Sequence, residues 1–248
     1  MQYLFYIILG LLPSFIWLSF YLRKDKHPEP NSLVIKIFFW GMLLAPMAIV
    51  LELAVIWLID PNHQPFISLS QLSQANIVQI FLTTAFAPAV VEESLKYTVV
   101  KTRFLKKTEF DEPTDVMIYC IIAGLGFAAV ENLLILSKFA TDNSGLGSAL
   151  ATIGLRFVGA TLLHALAAGI TGYWLARALL QTKRKIPLII AGLSSAIVFH
   201  ATYNYLIIKM SIAPKPFLIS LLAILLMGGG ILVSYYFRRL KAQKSVCI

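Results

Sequence analysis

Seven stretches of this chain are long and apolar enough to cross a bilayer, and no other feature limits its fold as much. A helix needs about 20 mostly apolar residues to traverse a hydrocarbon core of roughly 30 Å. The stretches run from Tyr3 to Leu22, Leu33 to Ile59, Ile77 to Val100, Thr114 to Ser137, Ala149 to Ala176, Pro187 to Ile208 and Pro216 to Phe237. They predict an all-α polytopic helical bundle of about seven transmembrane helices. With 58% of its residues hydrophobic and 13% charged, the chain lies outside the composition of soluble domains. Met1 to Leu22 has neither a basic leader nor a small-residue cleavage site and is followed by Arg23, Lys24 and Lys26, so it reads as a retained span. No repeat or long polar insertion divides the sequence. Residues 1–248 therefore read as one membrane domain, with the informative polar residues between about 77 and 208.

The net charge of +9 raises nucleic acid as a partner, but the placement of the cations argues against it. Fifteen Lys and Arg residues fall in the loops after spans one, three, five and seven, against Lys138, Lys209 and Lys215 in the opposite loops. By the positive-inside rule this puts the N-terminus outside and the C-terminus in the cytoplasm of a multi-pass cell-membrane protein, with the lipid bilayer as its main partner. Cys120 lies within a span and Cys247 is next to last, so no disulfide framework or CxxC metal site is suggested. A prenylation box would need cysteine at Ser245. The loop from Asp60 to Asn76 has room for a short interfacial helix. The segment from Lys101 to Glu112, mixing cations with Phe104, Leu105 and Phe110, suits either an anionic inner leaflet or plain solvent.

Ionisable groups at membrane depth cost several kcal/mol unless paired or hydrated, so each is a functional candidate. In span three, Glu92 and Glu93 precede Lys96 by four and three residues, and both carboxylates can reach its ammonium. Adjacent carboxylates in low dielectric are suited to general-base chemistry, one of them taking a proton from water; a structural ion pair is the plainer alternative. Pro88, one turn earlier, bends the helix and either opens space for water or serves packing alone. Glu52 in span two is a further intramembrane carboxylate, expected to bond a neighbouring span.

Gly124, Ala128 and Asn132 form an i, i+4 stripe in span four, with Phe127 and Glu131 beside it. Span five repeats the pattern in Arg156, Ala160, His164, Ala168 and Gly172, and span six in Gly192, Ala196, His200 and Asn204. Small residues let helices approach closely, so His164, His200 and the Glu131-Asn132 pair face partner helices, as catalysts or as packing groups. At 1.5 Å per residue, Glu92 lies about 12 Å from the cytoplasmic edge, the two histidines about 20 Å and Glu131 about 26 Å. Straight helices thus leave Glu131 too far out: either span four starts well into the cytoplasm or Glu131 belongs to a second layer.

Glu92-Glu93-x-x-Lys96, Gly124-x-Gly126-Phe127-x-x-x-Glu131-Asn132, Arg156 followed by His164-x-x-x-x-Gly169, and His200-x-x-x-Asn204-Tyr205 occur in the order of the PrsW family motifs. The chain resembles that family from Glu92 to Tyr205. The family is related to the CAAX prenyl endopeptidases and regarded as glutamic-type intramembrane proteases. The resemblance implies an enzyme that cuts a single-span membrane protein, such as an anti-sigma factor in stress signalling, without a cofactor or metal. It implies Glu92 or Glu93 as the base for the attacking water with His164 as helper, His200 and Asn204 as oxyanion stabilisers, and Lys96, Glu131, Asn132 and Arg156 in support. CAAX peptidases carry histidine where this chain has Glu131, which leaves Glu131 a second acid or a structural group.

Three rival readings use the same residues. Two histidines and a carboxylate with an open position describe a hydrolytic zinc site, although no HExxH is present. A non-catalytic scaffold or sensor would use the polar residues only to lock helices. A small transporter fits intramembrane Glu, Lys and His but lacks an inverted repeat.

Overall fold

The structure, a computed structural model, describes residues 2–25, 27–59, 78, 81–105, 112–141 and 145–243. Among these it is almost entirely helical and without strands, with seven helices: α1 (Gln2–Leu22), α2 (Asn31–Ile59), α3 (Ala87–Val99), α4 (Pro113–Thr141), α5 (Leu146–Leu180), α6 (Lys185–Ile212) and α7 (Pro216–Lys241). Six of them are long and apolar enough to span a membrane; α3 is shorter and carries Glu92, Glu93 and Lys96. Expectations for Asp60 to Asn76, Phe110 and Cys247 lie outside the described residues.

Helix α4 is the centre of the bundle. Every residue from Val116 to Ala129 is buried, as a continuously apolar helix inside a membrane protein should be. It packs against α1, α2 and α5, while α3 is wedged between α2 and α6, and α7 closes over α5 and α6. Glycine sets two of these crossings. A Cβ at Gly41 would lie 2.2 Å from the Ala123 carbonyl oxygen, and one at Gly126 would lie 2.1 Å from that of Phe38, so α2 and α4 meet backbone to backbone. Gly124 faces the His164 carbonyl and Ala168 of α5, and Gly172 faces Met117, which brings the small-residue rows of α4 and α5 into mutual contact. The outward surface is apolar on the long helices, with Ile8, Phe15, Val50, Trp57, Ile190, Val198 and Ile224 exposed. Water would not tolerate a patch of that extent. The protein is a multi-pass membrane protein.

Two π-helical turns flank α3, at Phe81–Phe86 and Val100–Phe104, and a third, Phe157–Thr161, interrupts α5. Pro88 follows the first of them, at the start of α3, where its missing N–H disturbs the ladder least. Such turns are frequent at functional sites. The Trp17 indole of α1 donates to the Phe157 carbonyl at the third turn, 2.9 Å away.

Candidate active site

Helices α3, α4, α5 and α6 bring the sequence candidates into one buried cluster. Glu92, Glu93 and Lys96 project from one face of α3 and are 5%, 1% and 2% exposed. The Lys96 ammonium donates to Glu92 Oε2 at 3.1 Å, Glu93 Oε1 at 2.9 Å and His164 Nδ1 at 2.9 Å, and lies 4.2 Å from the centre of the Phe127 ring. Two carboxylates, an imidazole lone pair and an aromatic face thus surround one cation, which compensates for its removal from water.

A carboxylate stands behind each histidine. His200 Nδ1 donates to Glu93 Oε1 at 2.9 Å, leaving Nε2 turned toward Glu92, 4.0 Å from Oε2. His164 Nε2 donates to Glu131 Oε2 at 2.7 Å, leaving Nδ1 for Lys96 and 3.7 Å from Glu92 Oε2. Because an ionised carboxylate only accepts, each contact fixes which ring nitrogen carries the proton. The two rings meet edge to face, 5.1 Å apart.

Glu131 is therefore not in a remote layer. Depth counted along straight, parallel helices fails: Glu131 Oε2 meets His164 Nε2 at 2.7 Å, so α4 is offset along its axis relative to α5, and π turns flank α3 and interrupt α5. Arg156 anchors Glu131 from the other side, with Nη2 3.2 Å from Oε2 and Nε 2.6 Å from Asn132 Oδ1. Asn132 in turn donates to Thr161, 3.1 Å away. Thr161, unremarked in the sequence, reaches Asn132 because the π turn puts residues five apart, Arg156 and Thr161, on one row. An i, i+4 reading has no signal for that. Phe127 was visible as a neighbour of the small-residue stripe but not as the floor under Lys96.

A cavity of about 1740 Å³ opens onto this cluster. Glu92, Glu131, Arg156, His164, His200 and Asn204 line it, with Pro88 and Glu52 at the same end. Glu93 and Lys96 are not among its lining residues, so Glu92 is the α3 carboxylate presented to the cavity. Asn204 stands one turn from His200 on the same wall.

The donor set is also grouped as metal ligands are, one atom from each of Glu92, Glu93, His164 and His200 lying within 4.8 Å of the others, but an ion there would have to displace the Lys96 ammonium from Glu92 Oε2 and His164 Nδ1. Glu92 Oε2, His164 Nδ1 and His200 Nε2 make a two-histidine, one-carboxylate set, and Glu131 and Glu93 hold the opposite ring nitrogens as outer carboxylates do in zinc enzymes.

Fold and site together define a class: polytopic helical membrane proteins with a buried carboxylate–histidine cluster opening on an intramembrane cavity. The family model described as PrsW family intramembrane metalloprotease matches residues 29–229, and the chain belongs to this family of intramembrane proteases. Similar curated proteins carry the name Protease PrsW. One from Oceanobacillus iheyensis is 29% identical, covering 80% of each chain; one from Geobacillus kaustophilus is 27% identical, covering 80% of this chain and 78% of its own. One from Bacillus subtilis is 25% identical over 82% of each. No solved structure matches.

Proposed function

We propose that this protein is a glutamate-dependent endopeptidase of the bacterial plasma membrane that cuts a single-span membrane protein, an anti-sigma factor being the substrate class the family resemblance points to. One observation carries this reading: Lys96 bridges the carboxylate pair from within the protein while Glu92 alone of the pair faces the cavity. Glu92 takes the proton of a water that attacks the scissile carbonyl, and returns it to the leaving amine. His164, held by Glu131 through Nε2, supports the base indirectly, its Nδ1 accepting from the Lys96 ammonium that also binds Glu92. Asn204 stands on the cavity wall where the carbonyl oxygen gathers charge, and an amide donor so placed contributes about 3 to 4 kcal/mol in other proteases; His200, whose Nδ1–H is committed to Glu93, joins it as a donor through Nε2 only as imidazolium. Glu93 fixes His200 and Lys96 and touches no reacting atom.

The ligand spacing favours a second reading. Glu92, His164 and His200 would hold a zinc ion, which when bound would acidify the attacking water. Reconstitution with a library of single-span substrates tests both. Glu92→Gln is expected to lower cleavage about 100-fold or more, as loss of a general base does. Cleavage at wild-type rates by Glu92→Gln, Glu93→Gln and His200→Ala alike would refute catalysis at this cluster. Stoichiometric zinc whose removal by chelator tracks lost activity replaces the first reading by the second.

A further inference from the structure

The cavity does not end at the catalytic groups. It continues as a trough along α5 and α6, walled by Trp17 and Phe20 of α1 and by Met227 and Ile231 of α7. Helix α7 lines it from Ile219 to Lys241, about 33 Å at 1.5 Å per residue, which matches the hydrocarbon thickness. Its two ends differ in charge. The lining carboxylates, Glu52, Glu92 and Glu131, belong to the catalytic end, whereas Lys24, Arg238 and Lys241 line the end where α1 and α7 terminate.

We propose that this trough seats the membrane-spanning helix of the substrate, and that Lys24, Arg238 and Lys241 select substrates with acidic residues flanking the span at that end. The proposal rests on the peptidase reading above and adds to it a binding surface and a specificity determinant. Continuity is the first argument, since a helix lying in the trough already touches the wall that holds Glu92 and His200. Wall chemistry is the second. Arg156 and Asn204 would face an acyl chain without return, but an unwinding peptide offers them carbonyls and amides. A Cβ on Gly230 of α7 would meet nothing within 4 Å, so this lining glycine leaves room for another backbone. Charge is the third. On the positive-inside assignment the basic end is cytoplasmic, where ordinary single-span proteins carry Lys and Arg. Three cations there repel most membrane helices and admit those with acidic flanks.

The test is disulfide cross-linking in phosphatidylcholine liposomes. It uses the full-length chain in the Glu92→Gln background, with Cys120→Ala and Cys247→Ser, and Gly230→Cys as the probe. The partners are Leu/Ala-rich host spans with one mid-span cysteine and either an acidic or a basic flank at the basic end. The acidic host is expected to cross-link roughly five-fold more, the size set by two or three exposed ion pairs. Reversing Lys24, Arg238 and Lys241 to Glu should invert the preference. Equal yields for the two flanks, absence of cross-links, or a preference abolished by phosphatidylglycerol each overturn the proposal, the last identifying the basic end as an anionic-lipid site. Cross-linking needs no hydrolysis, so its failure leaves the peptidase reading standing, and failure of the Glu92→Gln cleavage test leaves the cross-links interpretable.

Discussion

Lys96 is ringed by three ionisable partners, and its neighbours show how the cluster is held in a medium that penalises every charge. Its ammonium contacts Glu92, Glu93 and His164 with 2% of the residue exposed. Removing one member of a buried pair is costlier than removing both, because the survivor keeps its charge without a partner. Lys96→Met and Glu93→Gln should each lower the thermal unfolding midpoint in detergent. The double variant should lose less than the two losses added, with a coupling of about 1–3 kcal/mol. Strict additivity would show that the pair is not energetically linked. The α3 pairing was legible in the sequence, since i, i+3 and i, i+4 spacing suffices to put both carboxylates on one ammonium. The contact of Glu131 with His164 was not, because it depends on the stagger between two helices.

The α2–α4 crossing is governed by Gly126, which the motif series contains but does not explain, and by Gly41, which lies outside it. Gly126 lies within the family motif, yet its Cβ position points at the Phe38 carbonyl, away from the cavity, and Gly41 answers it from α2. Ala at either position forces two backbones apart, a strain typically costing about 1–3 kcal/mol. Gly228 on α7 is the control: a Cβ there meets nothing within 4 Å, so Ala should gain up to about 1 kcal/mol of helix propensity. Thermal unfolding of Gly41→Ala, Gly126→Ala and Gly228→Ala should rank the third above wild type and the first two below it. A stable Gly126→Ala would mean that this crossing has slack. The helices themselves were readable from apolar length, and the facing of α4 and α5 from their small-residue rows. The π turns were not, because nothing in Phe157–Thr161 distinguishes a five-residue turn from a four-residue one.

At the scale of the whole molecule, the basic end of the bundle is tied by a few polar groups between α1 and α2 and at the start of α4. His27, after α1, pairs with Glu112 at the start of α4, and the Glu112 amide donates to Asp115 Oδ2 at 2.6 Å. Asp25 accepts from the His27 amide through Oδ1 at 3.1 Å, while its Oδ2 is buried without a hydrogen-bond partner among the described residues. Burial holds the Asp25 carboxyl above its ordinary range; the His27 amide pulls it down, the nearby Glu112 charge adds a smaller upward push, and the Glu29 amide and the His27 ring oppose it more weakly. The sign follows. Ionising Asp25 costs more in the folded protein than in the unfolded chain, so stability falls as pH rises through its raised value and is recovered below the ordinary carboxylate range. Asn at position 25 keeps the Oδ1 acceptor and replaces the charge with a donor facing acidic neighbours. Asp25→Asn should therefore raise the unfolding midpoint at neutral pH by a few degrees at most, since a partly exposed group is screened to below ~1 kcal/mol. Near pH 4 the difference should shrink toward zero. An equal gain at both pH values would assign it to packing, and a loss at neutral pH would mean that the Asp25 charge is compensated at this end of the bundle.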